Sequence, residues 1–374
     1  GSISYSSNYL TSSLPGASGL VITPVLTGLS AQNYTFVSSN GTITVSRKVL
    51  TVTGAFAAGK TYDGTTAATL SGTAAYLGLV NGETYAVSGT PTATFASANV
   101  GTGIAVSVTG YTAPNSNYSI TQPSLSANIT KTNSTITATG TTSYTYTGLA
   151  QGPATATVTG STGSVTYSYS GTGVTTYTAS ATKPTNAGTY QVIATVAADA
   201  NYNSASSSAL AFTISTASLI ITARDTSRVY GTTLTGGAGS TRFTSTGLQN
   251  GQTIGSVTLT YDVVGNSSTD AVGVYSGSVT ASAATGGTFS ASNYSITYVD
   301  GSITVTKKAI TITANNQTAS YGTAVATVTG SGTYTATGFV NGETASVITG
   351  SATYTTTYTA TTAAGTNGVT ITPV

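Results

Sequence analysis

Histidine, cysteine, methionine and tryptophan are all absent from this 374-residue chain. Their absence removes the imidazole and thiolate ligands of most transition-metal sites, the cysteine nucleophile and the usual proton carrier of catalysis at neutral pH. No disulfide can stabilise the chain, so packing and hydrogen bonds must do so. The sequence therefore argues against most classes of enzyme, and it predicts no cofactor and no metal site.

Charge is also scarce, because only 5% of the residues are charged and the ten basic side chains nearly balance the eight acidic ones. The chain lacks the basic clusters that a nucleic-acid-binding protein needs. It also lacks any run near the ~18 apolar residues of a membrane helix. About two acidic residues per 85 are too few to supply paired catalytic carboxylates or a calcium site. We predict no enzymatic activity, no nucleic-acid partner and no membrane-spanning segment.

The residues that are abundant favour a folded β protein. Apolar residues make up 39% of the chain, and 24 tyrosines and 7 phenylalanines can fill its cores. Apolar and polar residues alternate at 154–158 and 192–196, which is the pattern of half-buried strands. No stretch shows a helical period, so we predict an all-β fold with almost no helix.

The chain contains an internal repeat of about 85 residues, marked by short motifs. One motif is an Asn-Tyr pair, whose tyrosines are separated by 84, 84 and 92 residues. Another is a Tyr-x-Gly or Tyr-Gly sequence with separations of 84, 84 and 91 residues. The tyrosines of the first motif are Tyr34, Tyr118, Tyr202 and Tyr294, and those of the second are Tyr62, Tyr146, Tyr230 and Tyr321.

A third motif, Gly-Leu-Val-Asn-Gly-Glu-Thr at 78–84, returns in altered form at 247–253 and 338–344 but not in the repeat between. In addition, residues 1–25 align without gaps on residues 350–374. The sequence thus returns to its starting phase after 349 residues, and we expect it to be a window of a longer array.

The motif spacing divides the chain into three complete repeats and two partial ones. Only a few residues separate the last strand of one repeat, at 41–45, from the first strand of the next, at 49–52. Flexible linkers are longer and richer in Gly, Ser or Pro. The predicted bounds are 1–46 (segment N, the C-terminal part of a repeat), 47–131 (repeat A), 132–216 (repeat B), 217–306 (repeat C) and 307–374 (segment D, the N-terminal part of a further repeat).

Several short strands per repeat predict a small sandwich. The predicted fold class is therefore all-β, a tandem array of small immunoglobulin-like β-sandwich domains stacked end to end. Asn-Gly pairs at 40–41, 81–82, 250–251, 341–342 and 367–368 are hairpin-turn signals.

The motif tyrosines allow two interpretations. Because each returns once per repeat at a fixed phase, we expect it to supply one large buried ring per core, with its hydroxyl bonded to backbone. The alternative is a sugar-stacking platform, and threonine rows at 355–357 and 359–362 add an ice-binding surface as a variant of it. For Glu83 and Glu343, which share their phase with Gln252, we predict a turn-capping role.

The segment Lys60-Thr61-Tyr62-Asp63-Gly64-Thr65-Thr66, followed by the motif at 78–84, resembles the YDG domain of bacterial surface proteins. Ala187-Gly188-Thr189-Tyr190 leading to Asn201-Tyr202 is similar to the signature of MBG domains, which are mostly β and glycine-rich. The resemblance implies a YDG-like repeat A, MBG-like repeats B and C, and in segment D the N-terminal part of a further MBG-like repeat. It also implies large secreted adhesins in which such repeats form stalks, and it supplies no catalytic or binding residues.

These observations predict a structural stalk or filament segment of an extracellular bacterial adhesin or surface fibre, which acts by rigid spacing. The predicted partners are neighbouring copies of the same repeat array, in a fibre, and surface glycans. A carbohydrate- or ice-binding β module is the alternative. We expect the chain to lie outside the cell, on the surface or in a secreted fibre.

Overall fold

A computed structural model describes residues 3–374. Strands account for 47% and helix for 4% of the chain, which confirms the all-β prediction. Gly1 and Ser2, which the sequence aligns with Gly350 and Ser351, lie outside the described residues. The chain divides into two compact units. Unit 1 comprises Gly1–Gly140, Pro153–Ser168 and Val192–Leu210, and unit 2 comprises Thr141–Gly152, Tyr169–Gln191 and Ala211–Val374.

The first part of the chain, through repeat B, contains twenty strands. They are β1 (Ser4–Ser7), β2 (Val21–Val25), β3 (Gly41–Thr42), β4 (Lys48–Ala57), β5 (Lys60–Thr61), β6 (Ala67–Ala68), β7 (Leu70–Leu77), β8 (Ser88–Phe95), β9 (Gly101–Thr112), β10 (Tyr118–Thr121), β11 (Ser124–Thr130), β12 (Thr132–Asn133), β13 (Thr135–Thr139), β14 (Ser143–Thr145), β15 (Thr155–Thr159), β16 (Val165–Gly171), β17 (Gly188–Val196), β18 (Tyr202–Asn203), β19 (Ala205–Ser206) and β20 (Leu210–Ser215).

Twelve strands and the few helical turns follow in repeat C and segment D. The strands are β21 (Ala217–Ala223), β22 (Thr226–Val229), β23 (Gly237–Ser240), β24 (Phe243–Thr246), β25 (Ile254–Tyr261), β26 (Gly273–Gly287), β27 (Tyr294–Val299), β28 (Gly301–Thr306), β29 (Thr311–Ala314), β30 (Tyr334–Thr337), β31 (Tyr354–Thr356) and β32 (Ile371–Pro373). The helices are α1 (Val263–Asn266), α2 (Val325–Gly330) and two 3₁₀ turns at Ala291–Asn293 and Ala345–Val347.

Within unit 1, repeat A forms two sheets. One has the order β10-β4-β7 and the other the order β5-β11-β9-β8-β6. Two of its pairings are parallel, β10 with β4 and β11 with β5. Alternating residues of these strands point inward, so Leu50, Phe95, Val106 and Ile129 are buried in one core.

Within unit 2, repeat C has the same topology, with sheets of order β24-β21-β27 and β22-β28-β26-β25-β23. The parallel pairs return as β27 on β21 and β28 on β22. Leu219, Val257, Val279 and Ile303 are buried. The strand that carries the Asn-Tyr motif thus lies beside the opening strand of its repeat, and the closing strand lies beside the second one.

The strands of repeat B are divided between the two units, and the pairings within each unit correspond to pairings of repeats A and C. In unit 1, β12 pairs in parallel with β18, β13 pairs antiparallel with β15, and β17 pairs antiparallel with β19. In unit 2, β14 pairs in parallel with β20. The three complete repeats therefore share two parallel pairings, that of the Asn-Tyr strand with the opening strand and that of the closing strand with the second one. The immunoglobulin-like, end-to-end arrangement stays a prediction, as do the five domain bounds.

The Asn-Gly turns differ from the prediction. Asn81, Asn250 and Asn341 adopt the positive φ angles that such turns require. However, the turns at 81–82 and 250–251 lie between strands of different sheets, β7 and β8 in one repeat and β24 and β25 in the other. They are therefore corners of a sandwich and not β-hairpins, because the chain must leave one sheet for the other at this point.

Candidate functional site at the repeat junctions

In unit 1, the Tyr-x-Gly tyrosine of repeat A contacts the Asn-Tyr tyrosine of repeat B. The rings of Tyr62 and Tyr202 meet edge to face, with centroids 5.3 Å apart and an interplanar angle of 77°. The amide of Tyr62 donates to the carbonyl of Thr130 over 2.8 Å, which extends the β5–β11 pairing by one residue. This places the ring at the end of its own repeat, where the next repeat begins.

Beside the rings, the side chain of Asn201 forms hydrogen bonds across the same junction. The Oδ1 atom of Asn201 accepts from the amide of Val100 over 3.0 Å, and its Nδ2 donates to Oδ1 of Asn99 over 3.0 Å. The carboxylate of Asp199 in turn accepts a hydrogen bond from the backbone amide of Asn201 over 2.9 Å. Hydrogen bonds from the backbone amides of Thr162, Asn201 and Tyr202, the first of them having the largest effect, lower the pKa of Asp199 to about 2.

Unit 2 contains an equivalent pair between repeats B and C. The rings of Tyr146 and Tyr294 lie 5.4 Å apart at 79°. Gln252 joins the two hydroxyls, because its Nε2 donates to Tyr146 over 2.9 Å and its Oε1 accepts from Tyr294. The Tyr294 hydroxyl also accepts from the Gln249 amide over 3.0 Å. All four polar groups of this cluster are therefore paired, as buried polar groups must be.

The asparagine of the Asn-Tyr motif also forms hydrogen bonds across this junction. Buried Asn293 accepts from the amide of Ala187 over 2.9 Å and donates to Oδ1 of Asn186 over 3.2 Å. Asn99 and Asn186 both precede an x-Gly-Thr sequence, so the same two motifs meet at each junction.

Glycine lets the backbones approach within these junctions. Gly231, at φ +85°, lies so close to the next Asn-Gly turn that an added Cβ would be 2.4 Å from Cγ2 of Val340. At Gly148, an added Cβ would be 2.7 Å from Cβ of Asn250. The hydroxyl of Tyr230 then donates to Oε1 of Glu343 over 2.7 Å.

The motif tyrosines differ in how far they are exposed to solvent. Tyr118, Tyr146 and Tyr294 are buried, Tyr62, Tyr202 and Tyr230 are half-buried, and Tyr34 and Tyr321 are 81% and 70% exposed. This differs from one buried ring in every core. Four of the rings pair where successive repeats meet, Tyr62 with Tyr202 and Tyr146 with Tyr294, whereas the exposed Tyr34 and Tyr321 have no such ring partner among the described residues.

The third motif also differs from its prediction. Glu343 and Gln252 hold tyrosine hydroxyls instead of capping turns, and Glu83 accepts from the hydroxyl of Tyr118. The fixed phase of Glu83, Gln252 and Glu343 relative to the motif tyrosines is the sequence signal that could have revealed this pairing.

Residues 46–127 match the family model of the YDG domain, and residues 219–304 match that of the MBG domain (YGX type). The chain carries YDG- and MBG-type repeats. No curated protein and no solved structure matches it significantly.

In the YDG domain, the Tyr-Asp-Gly turn is held by an ion pair. Nζ of Lys60 lies 2.9 Å from Oδ1 of Asp63, which also accepts from the amide and the hydroxyl of Thr65 over 2.9 Å each. These bonds, led by that of Lys60, lower the pKa of Asp63 to about 2. The lysine also lies 5.5 Å from the ring centre of Phe95. The turn aims Tyr62 toward the next repeat.

The YDG domain also bears a cavity at its junction with segment N, whose Tyr9 and Pro15 contribute to the lining. Glu83, Asn117 and Tyr118 line this cavity of about 660 Å³ together with Val80. The amide of Val80 donates to the Tyr118 hydroxyl over 3.3 Å, as Gln249 does to Tyr294 in the MBG domain. Within residues 3–374, no Tyr-x-Gly tyrosine faces this site, and the buried Oδ1 of Asn117 has no hydrogen-bond partner.

No group of three or more acidic side chains that could hold a metal ion occurs in the described part of the chain. In the same residues, no helix has the length and apolar character needed to cross a bilayer.

Proposed function

We propose that this chain is a segment of a structural stalk or filament, which acts by holding its repeats at fixed spacing. The observation that carries the proposal is the recurrence of one junction in different repeats. The tyrosine rings meet at 5.3 Å and 77° in unit 1 and at 5.4 Å and 79° in unit 2. A junction whose geometry recurs fixes the orientation of each repeat relative to the next and does not merely connect them.

The chemistry of the junctions supports stiffness. Each joins an aromatic pair, worth about 0.5–1.5 kcal/mol beyond its buried area, to asparagine bonds with backbone amides. Few residues link the strands of adjacent repeats, since β20 ends at Ser215 and β21 begins at Ala217. Arrays of this kind owe their stability to each repeat and to its nearest neighbours.

The proposal places the chain outside the cell, in a bacterial surface fibre or adhesin, where neighbouring copies of the array are its partners. The scarcity of charge and the absence of histidine and cysteine support a role without catalysis. A carbohydrate- or ice-binding module stays the alternative prediction, with surface glycans as its partner.

Small-angle X-ray scattering of the dilute chain tests the proposal. We expect a distance distribution with an early maximum, set by the cross-section of one repeat, and a long linear tail. A compact distribution would contradict the stalk and favour the binding module, because folded-back repeats create concave surfaces. A glycan array and an ice-recrystallisation assay then test that alternative directly.

A further inference from the structure

A cavity of about 440 Å³ lies within unit 1, where repeat A meets repeat B. Repeat A lines it with residues 100–102, at the start of β9, and with residues 128–130, at the end of β11. Lys131, the last residue of repeat A, and Asn203 of repeat B complete the lining. Both repeats are complete, and the volume falls within the range of about 300–1,000 Å³ that is typical of small-molecule sites.

Lys131 brings a positive charge to this cavity without a carboxylate to neutralise it. The side chain is half-buried, and its Nζ donates to the backbone carbonyl of Asp199 over 2.6 Å. The carboxylate of Asp199 accepts instead from three backbone amides. In the described part of the chain, no carboxylate forms an ion pair with this ammonium. Because an ammonium has three donors, two of them remain for a ligand.

Two asparagines that line the cavity present polar atoms of opposite kind. Oδ1 of Asn128 accepts from the amide of Gly103 over 2.8 Å, which leaves its Nδ2 as a donor for a ligand. Nδ2 of Asn203 donates to Oδ1 of Asn133 over 2.8 Å, which leaves its Oδ1 as an acceptor. Since one atom of each amide is already bonded, the orientation of each side chain is fixed. The cavity therefore offers a charge, a donor and an acceptor in defined positions.

The junction between repeats B and C lacks all three groups. Its aligned residues follow from the strand register, because β5 pairs with β11 and β14 pairs with β20 in the same register relative to Tyr62 and Tyr146. Both junctions place their tyrosine rings at nearly the same distance and angle, so this geometry does not require the three groups. Arg47 and Lys307 keep the phase of Lys131 at other junctions, but neither has an asparagine in the phase of Asn128. The residues in the places of Asn128, Lys131 and Asn203 are Thr213, Thr216 and Ser295.

We propose that the cavity binds a saccharide unit that carries a carboxylate group. The carboxylate pairs with the ammonium of Lys131 and accepts from Nδ2 of Asn128, and both are charge-assisted bonds. A ring hydroxyl donates to Oδ1 of Asn203, and the hydroxyl of Thr102, which also lines the cavity, bonds a second one. A simple anion would use the ammonium but would leave the Asn203 acceptor without a donor. A sugar acid supplies the carboxylate and the hydroxyls within one ring.

Titration calorimetry of the full chain with digalacturonate and with sialyllactose tests the inference. The matched neutral probes are galactobiose and lactose, and acetate supplies the carboxylate without the sugar. We expect at least one of the two acidic saccharides to bind at one site per chain. Its neutral counterpart and acetate should each bind at least about tenfold more weakly, because one lacks the charge and the other lacks the hydroxyls. Equal affinity for acetate or for the neutral sugar would overturn the ligand class.

Lys131→Met should weaken the binding of the acidic saccharide by at least about tenfold. Lys183→Met is the matched control, because it removes the same charge from a lysine that does not line the cavity, and it should have no effect. Asn128→Thr and Asn203→Ser should also weaken binding. They introduce the residue types found in these places at the B–C junction, so the repeats should still fold.

NMR signals of the bound chain locate the site. The amide of Gly103 reports on Asn128, which it bonds, and it should shift together with the signals of residues 128–131. Equal effects of Lys131→Met and Lys183→Met, or shifts confined to residues outside the cavity, would overturn the site. The inference goes beyond rigid spacing and does not depend on it. A rod-like chain that binds neither acidic saccharide would overturn the inference while leaving the stalk standing.

Discussion

Replacing Gly231 with alanine should destabilise the junction between repeat C and segment D far more than the same change at Gly322. Both glycines follow a motif tyrosine, and their φ angles are +85° and +86°. Alanine in this left-handed region costs about 1–2 kcal/mol at either position. The new methyl group meets nothing within 4 Å at Gly322, but it would lie 2.4 Å from Val340 at Gly231.

The overlap cannot be relieved by a rotamer change. Cβ of Val340 lies 2.8 Å from the added methyl group and Cγ1 lies 3.0 Å from it, so every rotamer clashes. Forcing a methyl group into a packed site costs about 1–3 kcal/mol. We therefore expect Gly231→Ala to lose about 2–5 kcal/mol in total and Gly322→Ala about 1–2 kcal/mol.

Denaturant unfolding of dilute protein measures the difference in the free energy of unfolding between the two variants. Hydrogen exchange in residues 226–231 and 338–344 then shows whether the loss is located at the junction. Val340→Ala should rescue Gly231→Ala in part, because it removes Cγ1 and Cγ2 but keeps Cβ, and it should not affect Gly322→Ala. Equal losses at the two glycines, with no rescue, would refute the close approach of the Tyr-Gly and Asn-Gly motifs.

Two further predictions concern charged groups. Arg228→Leu should destabilise repeat C by ~3–5 kcal/mol in denaturant unfolding, because it leaves Asp270 and three backbone carbonyls without their buried guanidinium. Arg228→Lys should lose less, and a loss below ~1 kcal/mol for Arg228→Leu would contradict the assignment. For Asp63, the folded pKa of about 2 lies below the unfolded value of 3.8, so its stabilising effect is complete above pH 4 and is lost as the pH falls toward 2. An NMR titration midpoint of Asp63 near 4 would refute the ion pair, and Asp63→Asn should remove this part of the acid dependence.

The sequence predicted the fold class because its signals are local and repeated. Alternation at 192–196 identifies β17, and the positive φ angles of the Asn-Gly turns follow from residue type. The parallel pairing of β4 with β10 could not be predicted in this way. It pairs residues that lie 70 positions apart in the sequence, and neither strand's pattern reveals its partner.

The sequence identified residues of the candidate site, but it did not predict where they lie or what they contact. The phase of Tyr146 and Tyr294 marked both as structural, but a ring inside a core and a ring between repeats have the same periodicity. The difference depends on Gln252, which contacts the hydroxyls of both tyrosines only after the chain has folded. Composition likewise could not indicate that Arg228 is buried, because most arginines are exposed.

The distance between spin labels on either side of a junction tests the rigid-junction claim most directly. The chain has no cysteine, so Thr213→Cys in repeat B and Ser282→Cys in repeat C allow specific labelling of two exposed strand positions within unit 2. The account predicts one narrow distance distribution, which Tyr146→Ala broadens because it removes the ring that contacts Tyr294. A broad distribution that Tyr146→Ala leaves unchanged would contradict it.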